Sequence, residues 1–294
     1  MPEPADDPRV VTPAVLRDWP LPAAGEDKDA NGRLLVVGGS TRSPGAVRLA
    51  GEAALRVGAG KVAVATVEEV VAGLAPLFPE AAMLPVGTDA DGSLDVELAD
   101  ALVEQSADSD VVLAGPGLVD PDHAVRLLER VLPRTRATVV LDGLGSAFLG
   151  AHPDGLHHLE GRAVLTVNPS ELGHTAGCSE EEVRRDAAAV VVLLARRSRV
   201  VVVCGGTKKH VATPDGRQWV VEGGGPGLAA SGSGDVQAGI VAGLLARGAE
   251  PAQAAVWGGY VHARCGERLA ASIGPVGYLA RELPAEIPLV LAEI

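Results

Sequence analysis

The chain has 294 residues, of which 47% are hydrophobic and only 2% aromatic, so the core is expected to contain many small aliphatic side chains. Its formal net charge is −13, without an obvious basic cluster, which argues against nucleic acid or an anionic membrane as a partner, because both bind clustered Lys and Arg. The cysteines Cys178, Cys204 and Cys265 are far apart and form no Cys-x-x-Cys pair, so neither a disulfide framework nor a zinc site is predicted.

Residues 1–31 are rich in Pro, Asp and Ala and show no sustained period, apart from a short helical pattern at 13–18. We interpret this stretch as an N-terminal arm that lies over the surface. Its first residues are acidic and polar, whereas a signal peptide begins basic and continues apolar. Charge, Gly or Pro interrupts every later aliphatic run before it could span a bilayer. We therefore expect a cytoplasmic protein.

From residue 32 onward, short β-branched runs alternate with longer Ala- and Leu-rich stretches. Strands are predicted at 34–37, 62–66, 111–114, 138–141, 164–166 and 200–203, and helices at 46–57, 121–131 and 180–195. This alternation predicts an α/β fold with a largely parallel sheet covered on both faces. No linker or change of composition divides the stretch, so residues 32–294 are predicted to form a single domain.

The pattern changes after residue 203. Segments 210–213 and 218–221 flank Pro214-Asp215-Gly216, which predicts a tight hairpin turn. Two helices are predicted to follow, at 235–247 and 251–271.

A first glycine cluster, Gly38-Gly39-Ser40-Thr41-Arg42-Ser43-Pro44-Gly45, leaves a predicted strand and enters a helix. Backbone N–H groups receive anions at such a position. Neither the Walker pattern nor the Gly-x-Gly-x-x-Gly pattern fits, because Ala46 follows Gly45 where a Walker loop has Lys. A tight turn that only needs glycine dihedrals remains an equal alternative.

A second cluster, from Gly223 to Asp235, contains more glycines than one turn requires and leads into an apolar helix. It predicts an anion cradle, since glycines let several amides converge on one phosphate. Asp235 is then either a helix cap or a general base that accepts a proton from a hydroxyl attacking that phosphate. We expect the helix terminus to keep Asp235 ionised, so that it acts more by positioning than by basicity.

Three further turns follow predicted strands, and they are expected to gather at the carboxyl edge of the sheet, where open α/β sheets bind ligands. Each of them alone is more typical of a turn than of a site. The histidines, His262 among them, lack metal-ligand spacing and are interpreted as structural or solvated, and no protein metal site is predicted. The turns are Gly115-Pro116-Gly117, Asp142-Gly143-Leu144-Gly145 and Asn168-Pro169-Ser170-Glu171.

Taken together, several of these segments resemble a known family. They are Gly32-Arg33-Leu34-Leu35-Val36-Val37-Gly38-Gly39-Ser40, Gly115-Pro116-Gly117, Pro226-Gly227-Leu228-Ala229 and Gly232-Ser233-Gly234-Asp235-Val236. From about Gly32 to its C-terminus the chain is similar to the ADP- or ATP-dependent NAD(P)H-hydrate dehydratases, a branch of the ribokinase-like superfamily. The resemblance implies a three-layer α/β/α sandwich with a mostly parallel central sheet.

The resemblance also implies a function, the repair of NADH and NADPH that have taken up water at the nicotinamide ring, with ADP or ATP and Mg²⁺. It implies that Asp235 contacts the hydrate hydroxyl and acts as the catalytic residue. The implied substrate-binding residues are Ala46, Gly117, Asn168 and Asp235, and the implied nucleotide-binding residues are Gly205, Gly206, Thr207, Lys208, Lys209, Gly232, Ser233 and Gly234.

The sequence departs from the family pattern at two of these places. Asn168 stands where the family usually has a histidine, and the usual Lys-Gly-Ala-Asp-Thr segment aligns with residues 205–209, which moves the positive charge further along the chain. Two alternatives therefore remain, a kinase of another small alcohol and a nucleotide-binding paralogue that does not catalyse. The resemblance further implies a stand-alone dehydratase without an epimerase domain, and a homo-oligomer such as a tetramer.

Overall fold

A computed structural model describes residues 8–294, so the first seven residues of the predicted N-terminal arm lie outside the described part of the chain. Ten strands within residues 8–294 form one sheet, in the order β1-β10-β9-β8-β7-β6-β5-β2-β3-β4. The strands are β1 (Arg9–Val10), β2 (Arg33–Val37), β3 (Lys61–Val67), β4 (Ala82–Val86), β5 (Val111–Ala114), β6 (Thr138–Asp142), β7 (Ala163–Val167), β8 (Val201–Cys204), β9 (Lys208–Ala212) and β10 (Gln218–Glu222).

The sheet is largely parallel, as predicted. Neighbouring strands from β4 across to β8 all run parallel, and β9 is antiparallel to both β8 and β10. The predicted hairpin is confirmed as β9 and β10. Successive residues of a strand point to opposite faces, so Leu34 and Val36 belong to one core cluster and Leu35 and Val37 to the other. The sheet is therefore apolar on both faces.

Helices cover both faces, which confirms the predicted three-layer α/β/α sandwich. No helix within residues 8–294 has the length and apolarity needed to cross a bilayer. Residues of α2, α10, α11 and α12 form one core cluster with the sheet, and residues of α4 to α9 form the other. The helices are α1 (Pro13–Arg17), α2 (Gly45–Val57), α3 (Glu68–Leu74), α4 (Asp100–Ala107), α5 (Pro121–Val131), α6 (Ala147–Ala151), α7 (Pro169–Ala176), α8 (Glu180–Arg185), α9 (Ala187–Ser198), α10 (Ser233–Ala246), α11 (Pro251–Ser272) and α12 (Leu283–Ala292).

The single helix predicted at 180–195 is wrong, because the chain breaks at Asp186 into α8 and α9. Asp186 has φ −152° and ψ 73°, and its side chain accepts a hydrogen bond from the Ala189 amide at 3.0 Å. Aspartate competes for backbone N–H groups and so favours a cap over a helix interior. The apolar period continues through the break, and for that reason periodicity alone does not detect it.

The N-terminal segment packs closely against the sheet and α11. Strand β1 pairs with β10, and the helical pattern at 13–18 is confirmed as α1, in which Leu16 is fully buried. The Trp19 carbonyl accepts hydrogen bonds from the side chains of Gln253 and Trp257, at 3.1 and 2.9 Å. From residue 8 onward this segment contributes both a strand and core contacts.

Both outer strands of the sheet are poor templates for further pairing. Strand β1 has only two residues, and β4 contains Pro85, which has no N–H to donate. Short strands and prolines at edges discourage pairing with another chain.

Helix α10 lies very close to α2. A Cβ placed on Gly239 would lie 2.1 Å from the Ala50 carbonyl oxygen, and one on Gly243 would lie 2.6 Å from the Ala54 oxygen. Both contacts are to helix backbone, which cannot rotate away as a flexible side chain would. Glycine at these two positions therefore sets the distance between the helices.

We expect Gly239→Ala to destabilise the protein by about 1–3 kcal/mol, because the added methyl group forces α10 away from α2. The matched control is Gly73→Ala in α3, where a Cβ would meet nothing within 4 Å. The control should hold or gain stability, since Ala is the better helix former. Urea unfolding compares the two, and equal midpoints would contradict the close-approach argument.

Candidate functional site

A cavity of about 750 Å³ opens at the carboxyl edge of the parallel strands, beside the N-terminus of α10. Residues just after β6, β7 and β8 line it, namely Gly143, Asn168 and Gly205. This is the edge at which open α/β sheets bind ligands. The remaining lining residues include Asp142, Thr166, Glu171, Gly206, Thr207, Lys209, Gly223, Gly225, Pro226, Gly232, Ser233, Gly234, Asp235, Gln237 and His262.

The second glycine cluster forms one wall of the cavity and supplies the start of α10. Gly232 is the N-cap residue of α10 and has φ 87°, and Gly225 has φ 68°, values that side-chain-bearing residues rarely adopt. The Gly224 amide donates to Glu267 Oε1 at 3.1 Å, which ties the cluster to α11. The glycines at 223, 225, 232 and 234 leave gaps between the side chains of this wall, so backbone can approach a ligand there.

Asp235 faces this cavity from the first turn of α10. Because Gly232 holds the N-cap position, the alternative that Asp235 is the helix cap is wrong. Burial, followed by the negative charge of Glu171, raises the pKa of Asp235 to about 6. With this pKa the carboxyl group is still largely ionised at pH 7, as expected, but burial makes it more basic than the helix terminus alone predicts. Asp235 is thus a better base than an ordinary aspartate.

Asp142, the last residue of β6, is a second carboxyl group in the same cavity. The Thr166 hydroxyl donates to Asp142 Oδ1 at 2.6 Å. Burial, followed by the charge of Asp235, raises the pKa of Asp142 well above its ordinary value. Two carboxyls that share a poorly solvated space resist ionising together. The more deeply buried Asp142 therefore holds its proton more firmly than Asp235.

Asn168 and Glu171 start α7 as a capping box. The Glu171 amide donates to Asn168 Oδ1, and the Asn168 amide donates to Glu171 Oε2, both at 2.9 Å. The side-chain oxygen of Asn168 is therefore engaged in the cap, and its NH₂ group is the part left to donate to a ligand. Burial raises the pKa of Glu171.

Lys208 and Lys209 have opposite surroundings although they are adjacent in the sequence. Both lie in β9, where neighbouring side chains alternate between faces. Lys208 pairs with Glu222 on the neighbouring strand at 2.5 Å and does not line the cavity. Lys209 lines the cavity, is only 5% exposed, and has its pKa lowered to about 8 by burial. Of the two predicted lysines, Lys209 is the one that faces the cavity.

The other predicted nucleotide-binding residues also come together here. Gly205, Gly206 and Thr207 form the turn between β8 and β9, and they line the cavity together with Gly232, Ser233 and Gly234. The Gly205 amide donates to the Val167 carbonyl at 2.8 Å, which fixes the start of the turn beside β7. The predicted nucleotide-binding residues other than Lys208 therefore all line one cavity.

Ala46 and Gly117 lie together, but outside this cavity. A Cβ on Gly117 would lie 3.1 Å from the Ala46 Cβ and 2.6 Å from the Ser43 carbonyl oxygen. The Gly39 amide donates to the Pro116 carbonyl at 2.7 Å, so the first glycine cluster packs against the turn after β5. This turn adjoins Gly143 at the rim, since a Cβ there would lie 4.0 Å from the Gly115 oxygen.

Sequence reasoning missed several polar side chains of the cavity. Gln237 and His262 line it, are 6% and 3% exposed, and lie on α10 and α11. Gln237 is four residues after Ser233 and so shares its helix face, a spacing that could have pointed to it. Within residues 8–294 no group of three or more His, Cys, Asp or Glu forms a metal-binding cluster.

Comparisons with known proteins agree with one another. A family model described as NAD(P)H-hydrate dehydratase matches residues 34–289. An ADP-dependent (S)-NAD(P)H-hydrate dehydratase of Xanthomonas campestris pv. campestris is 44% identical over 284 residues, 96% of this chain and 96% of that protein. The chain spans about half the length of the bifunctional NAD(P)H-hydrate repair enzymes that it also matches.

Two solved structures share the architecture. The ADP/ATP-dependent NAD(P)H-hydrate dehydratase of Bacillus subtilis, co-crystallised with ATP and Mg²⁺, is 26% identical, with a TM-score of 0.80 over 98% of this chain and 99% of that chain. A ribokinase-like superfamily protein of Enterococcus faecalis also gives a TM-score of 0.80, at 23% identity over 97% of this chain and 95% of that chain. The fold is ribokinase-like, as expected.

We expect the carboxyl group of Asp235 to titrate near pH 6, about two units above an ordinary aspartate. Glu171→Gln should lower this pKa, because it removes the negative charge that opposes ionisation. Carboxyl-carbon NMR across a pH series measures both values, and Asp235→Asn assigns the signal. A wild-type pKa close to 4 would contradict the electrostatics described here.

Proposed function

Because the chain belongs to the NAD(P)H-hydrate dehydratase family, we propose that it uses an adenine nucleotide to return hydrated NADH and NADPH to the intact reduced cofactors. The observation that carries this proposal is Asp235, a carboxylate with a raised pKa that faces an open cavity beside the N-terminus of α10. By likeness to the Xanthomonas relative, ADP is the proposed phosphoryl donor.

The first step is phosphoryl transfer to the hydroxyl group on the hydrated ring. Asp235 accepts the hydroxyl proton while the hydroxyl oxygen attacks the terminal phosphorus of ADP, and the P–O bond to AMP breaks. The raised pKa of Asp235 supports this role, since a base near pH 6 takes the proton more readily than one near 4 and is still ionised at pH 7.

The second step is elimination. Hydroxide is a poor leaving group, whereas phosphate leaves readily once the oxygen carries the phosphoryl group. The adjacent ring nitrogen supplies the electron pair, the C–O bond breaks, and loss of a ring proton restores the dihydronicotinamide. Per hydrate the products are NAD(P)H, AMP and phosphate.

We assign the hydrate site to Ala46, Gly117, Asn168 and Asp235. Ala46 and Gly117 lie against each other, and the turn that holds Gly117 adjoins Gly143 at the rim of the cavity, which supports their place in this site. The NH₂ group of Asn168 is free of the α7 cap and is suited to donate to a hydroxyl or carboxamide oxygen. This donor takes the place of the histidine usual in the family.

We assign the nucleotide phosphates to the turn between β8 and β9 and to the start of α10. Gly205, Gly206, Thr207, Gly232, Ser233 and Gly234 offer closely spaced backbone amides, and the N-terminus of α10 adds a favourable dipole. Lys209, which also lines the cavity, supplies a positive charge for the phosphates. Lys208 was also assigned to this site from the sequence, but its pairing with Glu222 supports a surface position.

Mg²⁺ is proposed to accompany the phosphates. Magnesium is usually held by one or two carboxylates together with substrate phosphates rather than by a preformed cage. Glu171 and Asp142 suit this arrangement, because burial raises the pKa of both and a cation would favour their ionised forms. These two side chains would hold the ion, which would neutralise charge on the transferring group.

A homo-oligomer, such as a tetramer, and a cytoplasmic location stay predictions. They rest on the family resemblance and on the composition of the chain. The net charge of −13 supports the further prediction that neither nucleic acid nor membrane is a partner.

We expect Asp235→Asn to lower kcat by roughly a hundredfold or more, because the amide cannot accept the proton. The assay incubates hydrated NADH, Mg²⁺ and ADP and follows recovery of reduced-nicotinamide absorbance. Asp120→Asn is the matched control: Asp120 caps α5 outside the cavity, and Asn caps a helix equally well. Full activity of Asp235→Asn would refute the mechanism, and a wild-type protein inactive with ADP and with ATP would refute the function.

We expect Lys209→Met and Lys208→Met to differ sharply in nucleotide binding. Loss of a buried cation that contacts phosphate should weaken ADP binding roughly tenfold or more, since a charge-assisted hydrogen bond contributes about 1.5–3 kcal/mol. Lys208→Met removes an exposed ion pair and should leave the Kd for ADP nearly unchanged. Calorimetric titration with ADP measures both, and equal effects would contradict the assignment of Lys209.

A further inference from the structure

The side chains of Ser233 and His262 form a buried hydrogen-bonded pair at the N-terminus of α10. Ser233 Oγ lies 3.0 Å from His262 Nε2, and both residues are 3% exposed and line the cavity. The other ring nitrogen, Nδ1, is buried and has no hydrogen-bond partner within residues 8–294. The serine hydroxyl is therefore the one side-chain partner that can set the state of this ring.

The pair belongs to a polar floor beneath the proposed phosphate positions, which we define as Lys209, Ser233, Gln237 and His262. All four residues line the cavity and are at most 6% exposed. The only hydrogen bond among them is the one between Ser233 and His262. Buried polar groups are normally satisfied, so the floor is suited to a ligand that accepts several hydrogen bonds.

The imidazole of His262 is neutral. Burial, followed by the nearby Lys209 cation, lowers the pKa of His262 well below its ordinary value. A hydrogen bond to the backbone of Ser233 acts in the opposite direction. A neutral imidazole carries a single N–H, so the position of this proton decides what the serine hydroxyl can do.

Two tautomers are possible, and they have opposite consequences. With the proton on Nδ1, a buried N–H lacks an acceptor, and the Ser233 hydroxyl must donate its only hydrogen to Nε2. With the proton on Nε2, the ring donates to Ser233 Oγ, and the hydroxyl hydrogen is free to point into the cavity. Orphaned buried N–H groups are rarer than unsatisfied acceptors, which favours the second tautomer.

We propose that His262 is a positioning residue that donates from Nε2 to Ser233 Oγ, so that the serine hydroxyl donates its hydrogen to a phosphate oxygen of the bound nucleotide. This inference rests on the proposed nucleotide site. It adds a side-chain donor to the backbone amides of α10, and it gives the buried histidine a role at the site.

Nitrogen-15 NMR of the histidine rings tests the tautomer in the wild-type protein. We expect His262 to show a protonated Nε2 and an unprotonated Nδ1, with and without ADP, and His262→Gln assigns the signals by their loss. A proton on Nδ1 would overturn the proposal. The tautomer is read from the wild-type protein itself, and the measurement does not depend on repair of hydrated cofactor.

Nucleotide affinity tests the consequence. Ser233→Ala and His262→Leu should each raise the Kd for ADP about tenfold, and the double variant should be no weaker than either one, because both act through the same hydrogen bond. His262→Gln, whose side-chain N–H can replace Nε2–H, should regain most of the affinity. If His262→Leu does not fold, Ser233→Ala and His262→Gln give the same comparison.

His123→Gln is the control for a merely structural effect, since His123 is also buried and bonds the Leu94 carbonyl at 2.7 Å, outside the cavity. It should leave the Kd for ADP unchanged. Wild-type affinity in Ser233→Ala, or additive losses in the double variant, would overturn the role of His262. If these binding effects appear while hydrated NADH is not repaired, the dehydratase function fails and the positioning role stands.

Discussion

The close contact between α10 and α2 is the constraint on which the site depends. After Gln237, helix α10 is apolar on all sides, and the helix is buried almost throughout, as expected of a helix inside a protein rather than on its surface. Glycine at 239 and 243 lets it settle against the backbone of α2. Its N-terminus is thereby fixed at the carboxyl edge of the sheet, and the positions of Ser233 and Asp235 follow from that.

The cavity disfavours charge on every ionisable group that faces it. Burial raises the pKa of Asp142, Asp235 and Glu171 and lowers that of Lys209 to about 8. A ligand with phosphates and a divalent cation would reduce these burial penalties. The phosphates would pair with Lys209, and the cation would pair with the carboxylates, in a poorly solvated space. The groups whose charge the cavity disfavours are therefore the ones that the proposed nucleotide and its metal ion would pair with.

Most of the architecture could be predicted from local patterns, because β-branched runs and helical periodicity reflect contacts that repeat along the chain. The sequence also predicted that the turns after β6 and β7 meet at one edge, since parallel strands end there. The family resemblance added Asp235 and the 205–207 turn to the same site. The break at Asp186 was not predictable from periodicity, because the apolar stripe continues across it. The spacing of apolar residues predicts where a helix runs, but it does not show where the helix is broken.

The electrostatic details depended on three-dimensional burial, which no local pattern records. The helix terminus beside Asp235 can be inferred from the sequence, whereas the burial and the Glu171 charge that raise its pKa cannot. Lys208 and Lys209 became distinguishable only once their segment was known to be a strand, in which they face opposite sides. His262 lies 29 residues from Ser233 in the chain, and only the packing of α11 against α10 brings them together.

The two ends of the sheet have a consequence for assembly. One edge is the two-residue strand β1 and the other carries Pro85, and both features disfavour continuing the sheet from one molecule into the next. We therefore expect any association between copies of this chain to use helix and loop surfaces. Subunits that associate in this way do not form a β-sheet that is continuous between molecules.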